Sequence, residues 1–291
     1  MDRLVVELKG GLGNQLFQLA QALEVTGGDL SQLVLDITYF NRDSRHGGYL
    51  LDRLFPTLKL PILNDATISR QMVKIDLSAD PSLYLDRYAF GRFRSRNSVY
   101  LSGYFQNIDL VRPLLASLRS LFWSTRTSGD TFGVNGFLKS KGIPLPPESF
   151  IIGIHIRRGD YLSPDSRKVH GLVATETQVE VVTRIAAAHP TARILVFSDD
   201  KSIEVSKRAY KFVSSVEQDK IGRDMDEFLA MAECNALVCA NSTFSLWASY
   251  LSKSCEEVFL PSRWTLNDTV RSQQLFGLAD HKFRLYDAKL V

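Results

Sequence analysis

The chain has 291 residues, 45% of them hydrophobic, enough to bury a large core and to form two domains of ordinary size. Its 35 basic and 32 acidic residues leave a net charge of +3 without a basic run, which argues against a nucleic-acid groove and suits an anionic small substrate, with peripheral contact to an acidic membrane surface still compatible. Cys234, Cys239 and Cys255 lack CxxC spacing and the five histidines are dispersed, which argues against a disulfide frame or a structural metal; with no run of 18 apolar residues and no leader pattern, a soluble, cytoplasmic chain is expected.

Leu4 to Leu8 reads as a buried strand, GGLGNQ follows at 10–15, and Leu16, Phe17, Leu19, Ala20 and Leu23 recur at helical spacing until Gly27 and Gly28 stop the helix. Leu33 to Ile37 is a second strand, completing a β-loop-α-β unit. From 38 to about 110 the pattern weakens into short strands and loops (Tyr39 to Phe55, Tyr84 to Phe90, Val99 to Phe105). Ile108 to Phe122 reads as a helix in which Pro113 is tolerable only near the first turns.

Residues 124–149, rich in Gly, Ser, Thr and Pro, mark a hinge. Beyond it strands at 150–156, 193–198, 211–216, 236–240 and 257–260 alternate with helices at 176–189, 201–210, 224–234 and 243–252, the pattern of a doubly wound parallel sheet. The expected fold class is α/β with domains at 1–140 and 150–291 facing across a cleft, and with the last residues free to pack back on the first domain.

HIRRGDY at 155–161 ends a buried strand, where open α/β sheets bind ligands. Each planar guanidinium of Arg157 and Arg158 can donate two parallel hydrogen bonds to phosphoryl oxygens, which suits a diphosphate; a salt bridge between Arg158 and Asp160 that merely fixes the turn accounts for the same residues. In GGLGNQ, Gly11 and Gly13 let backbone amides approach a phosphate at a helix start, or form a plain tight turn. The GxGxxG pattern fails at Leu16, although Asp36 stands near the position of a ribose-binding acid, so an NAD(P)-type oxidoreductase is one alternative.

FSDD supplies Asp199 and Asp200, one of them suited to cap a helix, and it is not a DxD metal motif. Asp224, Asp226 and Glu227 lie in the first turns of a helix, where acids are favoured electrostatically, and where a carboxylate could accept from N1–H and the 2-amino group of guanine. Ser242 and Thr243 begin another helix, as ordinary caps or as a diphosphate seat, and His46 is a lone loop histidine, either solvated or a base.

GGLGNQLFQ, HGGYLLDRLF, LSGYFQN, HIRRGDY, FSDD and ANSTFSLWASYLS, in that order over most of the chain, resemble the α1,2-fucosyltransferases of glycosyltransferase family 11. The resemblance implies a GT-B pair of Rossmann-like domains and inverting transfer of fucose from GDP-fucose to the 2-hydroxyl of a galactoside, with no cofactor or metal. The partners would be GDP-fucose and a galactose-terminated oligosaccharide or glycolipid. Carried onto this chain, Arg157 would bind the β-phosphate, His155 would line the nucleotide site, Asp226 would read guanine, and Ser242, Thr243 and Phe244 would contact the diphosphate. Gly11, Gly13 and Asn14 would close over diphosphate and fucose, with Tyr104, Phe105 and Gln106 approaching from the same side. Asp199 falls among the substrate-binding residues, Arg158 and Asp160 share the motif without a settled division of work, and the general base would be Asp160 or His46, unless a strongly dissociative reaction needs little base help. A non-catalytic sugar-binding module is the remaining alternative.

Overall fold

The computed structural model describes residues 3–43, 47–64, 72–93, 98–124, 134, 136, 138, 149–200, 212–214, 220–266 and 282–291. They divide into two compact units, Met1–Arg126 and Thr127–Val291.

The first unit is a five-stranded, all-parallel sheet of β1 (Leu4–Glu7), β2 (Leu33–Asp36), β3 (Ile62–Leu63), β4 (Val73–Asp76) and β5 (Val99–Ser102), in the order β3-β2-β1-β5-β4. Central β1 buries Leu4, Val5 and Val6 in succession, as a strand covered on both faces requires. Helix α1 (Leu12–Thr26) ends where Gly27 adopts φ +65° and its N–H donates to the carbonyl of Glu24, a left-handed stop that glycine takes without side-chain clash.

Three fully buried glutamines, Gln15, Gln18 and Gln21, recur along α1 at a spacing that aligns them on one side. Each both donates and accepts. Gln15 bonds to the carbonyls of Gly10 and Gly48 and accepts from Leu50 N–H; Gln18 accepts from Lys9 N–H and donates to Gly103; Gln21 closes both backbone groups of Leu85. One helix thereby pins the segments that follow β1, β2, β4 and β5.

Neither Tyr39 to Phe55 nor Tyr84 to Phe90 is a strand among the described residues. The first holds a 3-10 turn (Thr38–Asn41) and the short helix α2 (Leu51–Leu54), and the second runs into helix α3 (Arg87–Phe93). The aromatic residues that suggested strands sit in turns and short helices instead, Phe55 and Phe90 buried and Tyr88 exposed, so tertiary context overrides propensity. The helix expected over Ile108 to Phe122 is α4 (Ile108–Val111), a 3-10 turn (Arg112–Leu114) and α5 (Leu115–Ser124), because Pro113 has no N–H to continue the α ladder.

The second unit is a six-stranded, all-parallel sheet of β6 (Ile151–Ile156), β7 (Arg193–Ser198), β8 (Phe212–Ser214), β9 (Ala236–Val238), β10 (Glu257–Pro261) and β11 (Phe283–Tyr286), in the order β11-β10-β9-β6-β7-β8. Helices α6 (Pro164–His170), α7 (Thr175–Ala188), α8 (Lys220–Glu233) and α9 (Thr243–Leu251) connect the strands. This is the Rossmann strand order, with its reversal between β6 and β9. Every residue of β6 is buried, and Gly153 is required there, since a Cβ would stand 2.8 Å from Leu237 Cδ1 and 2.9 Å from Cys234 Sγ.

Helix α6 and strand β11 lie beyond the expected elements, and the helix expected at 201–210 falls outside the described residues. The last residues pair within their own unit: Leu172 and Val291 exchange backbone hydrogen bonds at 2.9 Å, beside a Val173–Leu290 bridge.

Candidate active site

At the reversal of the second sheet, two neighbouring strands leave the sheet at the same edge. β6 runs into HIRRGDY, and β9 runs into Asn241 and Ser242, which open α9. Ligands of open α/β sheets sit outside the carboxyl ends at such a point. The first turn of this Rossmann unit is therefore arginine-rich, while the glycine-rich segment on which the dinucleotide alternative rested belongs to the other unit.

His155 ties the two motifs together. Its ring Nδ1 lies 2.9 Å from Ser245 Oγ on α9, its centroid is 5.9 Å from that of Phe244, and its carbonyl accepts from Gln178 Nε2 on α7. Burial, and then the charge of Arg157, push its pKa down to about 4, so the ring is neutral near pH 7. Ser242 is the N-cap of α9, its oxygen accepting from Phe244 N–H at 3.3 Å, which is the ordinary cap arrangement; Thr243 is the helix's first residue.

Arg157 is held from several directions. Its Nη2 donates to Asp160 Oδ1 at 2.5 Å, its Nη1 lies 2.6 Å from Asp199 Oδ2, and its Cζ lies 5.6 Å from the centroid of the Tyr161 ring. Burial opposes the guanidinium charge, but the carboxylates of Asp199 and Asp160 outweigh it and hold the pKa above its ordinary value. The salt bridge in this turn thus joins Asp160 to Arg157 and not to Arg158: three residues on from Arg157, Asp160 is brought back toward it by the 3-10 turn Gly159–Leu162. Arg158 instead donates from Nη2 to Thr175 Oγ1 at 2.6 Å, and no carboxylate pairs with it among the described residues.

Three residues not singled out from sequence complete this edge. Tyr161 stacks on His170 with centroids 4.6 Å apart and donates to the carbonyl of Asn241; Asn241 Nδ2 reaches the carbonyls of His170 and Trp264. Tyr161 and Asn241 carried a signal, being members of HIRRGDY and ANSTFS, whereas His170 carried none. Asp226 is half-buried on α8, where burial raises its pKa, and α8 touches α9 through an edge-to-face contact of Phe228 with Phe244. No described contact joins Asp226 to Arg157.

In the first unit the reversal lies between β1 and β5, and the two segments leaving these strands meet. Gln106 Nε2 donates to Asn14 Oδ1 at 2.9 Å. Gly10 has φ +74°, and a Cβ there would stand 2.7 Å from Asn14 Nδ2. The glycine-rich loop is shorter than its sequence suggests: Gly11 is the N-cap and Gly13 and Asn14 already lie in α1. Phe105, fully buried, adopts φ +53°, a strained conformation for a non-glycine residue, next to a Gly103 whose Cβ would stand 2.5 Å from the Phe105 ring. Tyr104 has Lys9 Nζ at 5.3 Å from its ring centroid. His46 lies outside the described residues.

Two parallel-sheet units, each with its polar motifs at a strand-order reversal, are the pair of Rossmann-like domains of the GT-B fold, and solved structures carry the same fold. Fucosyltransferase NodZ from Bradyrhizobium superposes with a TM-score of 0.52 at 15% identity over 89% of this chain and 95% of that one. A glycosyl transferase family 9 protein from Veillonella parvula superposes with a TM-score of 0.51 at 14% identity over 99% and 88%. The family model for glycosyl transferase family 11 matches residues 81–273, and the chain belongs to that family. It is 27% identical to an alpha-1,2-colitosyltransferase of Escherichia coli over 86% of this chain and 88% of that protein. It is also 30% identical to galactoside 2-alpha-L-fucosyltransferase Sec1 of Mus musculus, over 40% of this chain and 32% of that protein. Among the described residues no helix is long and apolar enough to cross a membrane, and no three His, Cys, Asp or Glu side chains are grouped to hold a metal ion.

Proposed function

We propose that this enzyme transfers L-fucose from GDP-β-L-fucose to the 2-hydroxyl of a galactose-terminated acceptor, with inversion and without a metal or other cofactor, in the cytoplasm. The observation that carries the reading is Arg157, gripped by Asp160 and Asp199 at the carboxyl end of β6, beside the β9 end where α9 begins. Relatives named galactoside fucosyltransferases support the sugar, and these together with the alpha-1,2-colitosyltransferase support the linkage.

The galactose 2-hydroxyl attacks the fucose anomeric carbon as the bond to the β-phosphate oxygen breaks. The electron pair leaves with GDP, and Arg157 and the amino end of α9 offset the growing charge. The acceptor proton passes to a base. Asp160 is already bonded to Arg157, which suits a supporting carboxylate, so His46 takes the base role in this scheme. Asp226 accepts from guanine N1–H and its 2-amino group.

Incubation with GDP-fucose and a panel of galactosides, with a colitosyl donor in parallel, and linkage analysis of the product tests this. A Fucα1,2Gal product formed equally well in EDTA is the expected result. Preference for the colitosyl donor would overturn the assignment of fucose, and a linkage to any other hydroxyl would overturn the regiochemistry.

A further inference from the structure

We infer that Asp199 is a positioning residue for the HIRRGDY turn, fixing the plane in which Arg157 presents its guanidinium, and is not a ligand of the substrate. The register of the sheet brings it there: Ile156 pairs with Ser198 in parallel β6 and β7, so Arg157 and Asp199 leave the sheet side by side despite their separation in sequence.

Both oxygens of Asp199 are then used by consecutive residues of the turn. Oδ2 lies 2.6 Å from Arg157 Nη1, and Oδ1 accepts from the backbone N–H of Arg158 at 2.8 Å. The next residue has to be glycine, since a Cβ at Gly159 would stand 2.2 Å from Asp199 Oδ2. Each oxygen of the carboxylate is thus committed to the turn, so its orientation is set by Arg157 and Arg158 and not by a ligand. Asp160 holds the other terminal nitrogen, Nη2, so the two carboxylates brace the guanidinium against rotation about its Nε–Cζ bond. Five N–H donors belong to an arginine, and these two contacts leave the others available to phosphoryl oxygens. The strand edge thus builds a pre-oriented fork, which saves the ordering that a free arginine would undergo on binding. The neighbouring Asp200 takes a different part, its own N–H donating to Ser198 Oγ.

The inference rests on the reading in which Arg157 meets a β-phosphate, and the experiment separates the two. GDP and GMP affinities are measured by calorimetry for the wild type, Asp199→Asn, Arg157→Ala and the double variant. A wild type that prefers GDP over GMP supports the phosphate reading; one with no such preference overturns that reading. Asp199→Asn keeps an oxygen for Arg158 N–H but turns an amide N–H toward Arg157. It should lower GDP affinity by about tenfold while leaving GMP affinity within about twofold, and should add nothing in the Arg157→Ala background. Equal losses for GDP and GMP, or a further loss in that background, would show that Asp199 touches the ligand or serves only the fold.

A ligand-free readout stands beside these. The Nη resonances of Arg157, separated in the wild type by hindered rotation, should merge in Asp199→Asn and in Gly159→Ala, which displaces the same carboxylate by a second route. Unchanged, separate resonances in both variants would overturn the inference whatever the nucleotide data show.

Discussion

His155 Nδ1 and Ser245 Oγ meet at 2.9 Å, joining the strand that carries the arginine pair to the helix opened by Ser242 and Thr243. That buried ring makes stability depend on pH in a defined direction. Its pKa is pushed down to about 4 in the fold, by burial first and Arg157 second, against about 6.5 in an unfolded chain. On acidification the unfolded chain takes up the proton first. The stabilisation is therefore present above about pH 6.5, lost as pH falls toward 4, and flat below that, and it amounts to at most about 3 kcal/mol. The partly buried His170, whose pKa burial also lowers, acts with the same sign. Urea midpoints at pH 7.5 and 4.5 measure the effect, and His155→Gln should lose its own share; an identical acid loss in the variant would remove His155 from the explanation.

Arg157→Ala should lower the turnover number at saturating GDP-fucose by a factor of about 10² to 10³, the effect of removing one pre-oriented donor from a leaving group. Arg157→Lys keeps the charge but has only one nitrogen to share between Asp160 and Asp199, so it should fall between wild type and alanine. Initial rates under saturating donor decide this. Wild-type turnover in Arg157→Ala would move the leaving-group role elsewhere, and Arg158, without a carboxylate partner among the described residues, would be next to examine.

Much of this architecture is legible in the chain. The β1–α1–β2 opening and the strand-helix alternation after residue 150 stand within a residue or two of their observed bounds where the residues are described, except that α1 and α8 each begin four residues early, at Leu12 and Lys220; buried parallel strands and amphipathic helices carry strong periodic signals, and helix starts carry weaker ones. The stretch from 38 to 110 does not, since β3 has two residues and β4 exposes Val73 and Lys74, leaving no apolar alternation to read. In the site, the motif arginines were visible but their partners were not. Arg157 pairs with Asp160 through a 3-10 turn and with Asp199 through strand register, and both depend on geometry that sequence spacing leaves open. The glutamines of α1 read as polar interruptions of an apolar helix, and their purpose appears only when the loops are folded over them.

Those glutamines predict a second kind of defect. Gln18→Leu keeps bulk but strands Lys9 N–H and the Gly103 carbonyl, and each buried backbone group without a partner costs about 1 to 3 kcal/mol. A total loss of about 2 to 5 kcal/mol is expected from denaturation midpoints. A loss under about 1 kcal/mol would mean that water replaces the side chain. Because Gln18 holds segments after both β1 and β5, the variant should also weaken the Asn14–Gln106 contact, which a raised KM for GDP-fucose would register.

Asp226 offers the test of base recognition. Asp226→Asn replaces a two-oxygen acceptor by an amide that cannot accept from guanine N1–H and the 2-amino group together, so GDP affinity should fall by about 10- to 100-fold. ADP, which lacks that donor pair, should bind the variant as it binds the wild type. Burial raises the pKa of this carboxyl, so the wild-type preference for GDP should fade on acidification at a higher pH than an ordinary aspartate would allow, and the variant should show no such fading. Calorimetric titrations with both nucleotides between pH 8 and pH 4.5 measure each quantity. Parallel losses of GDP and ADP would place Asp226 in the support of α8 and return guanine recognition to another residue.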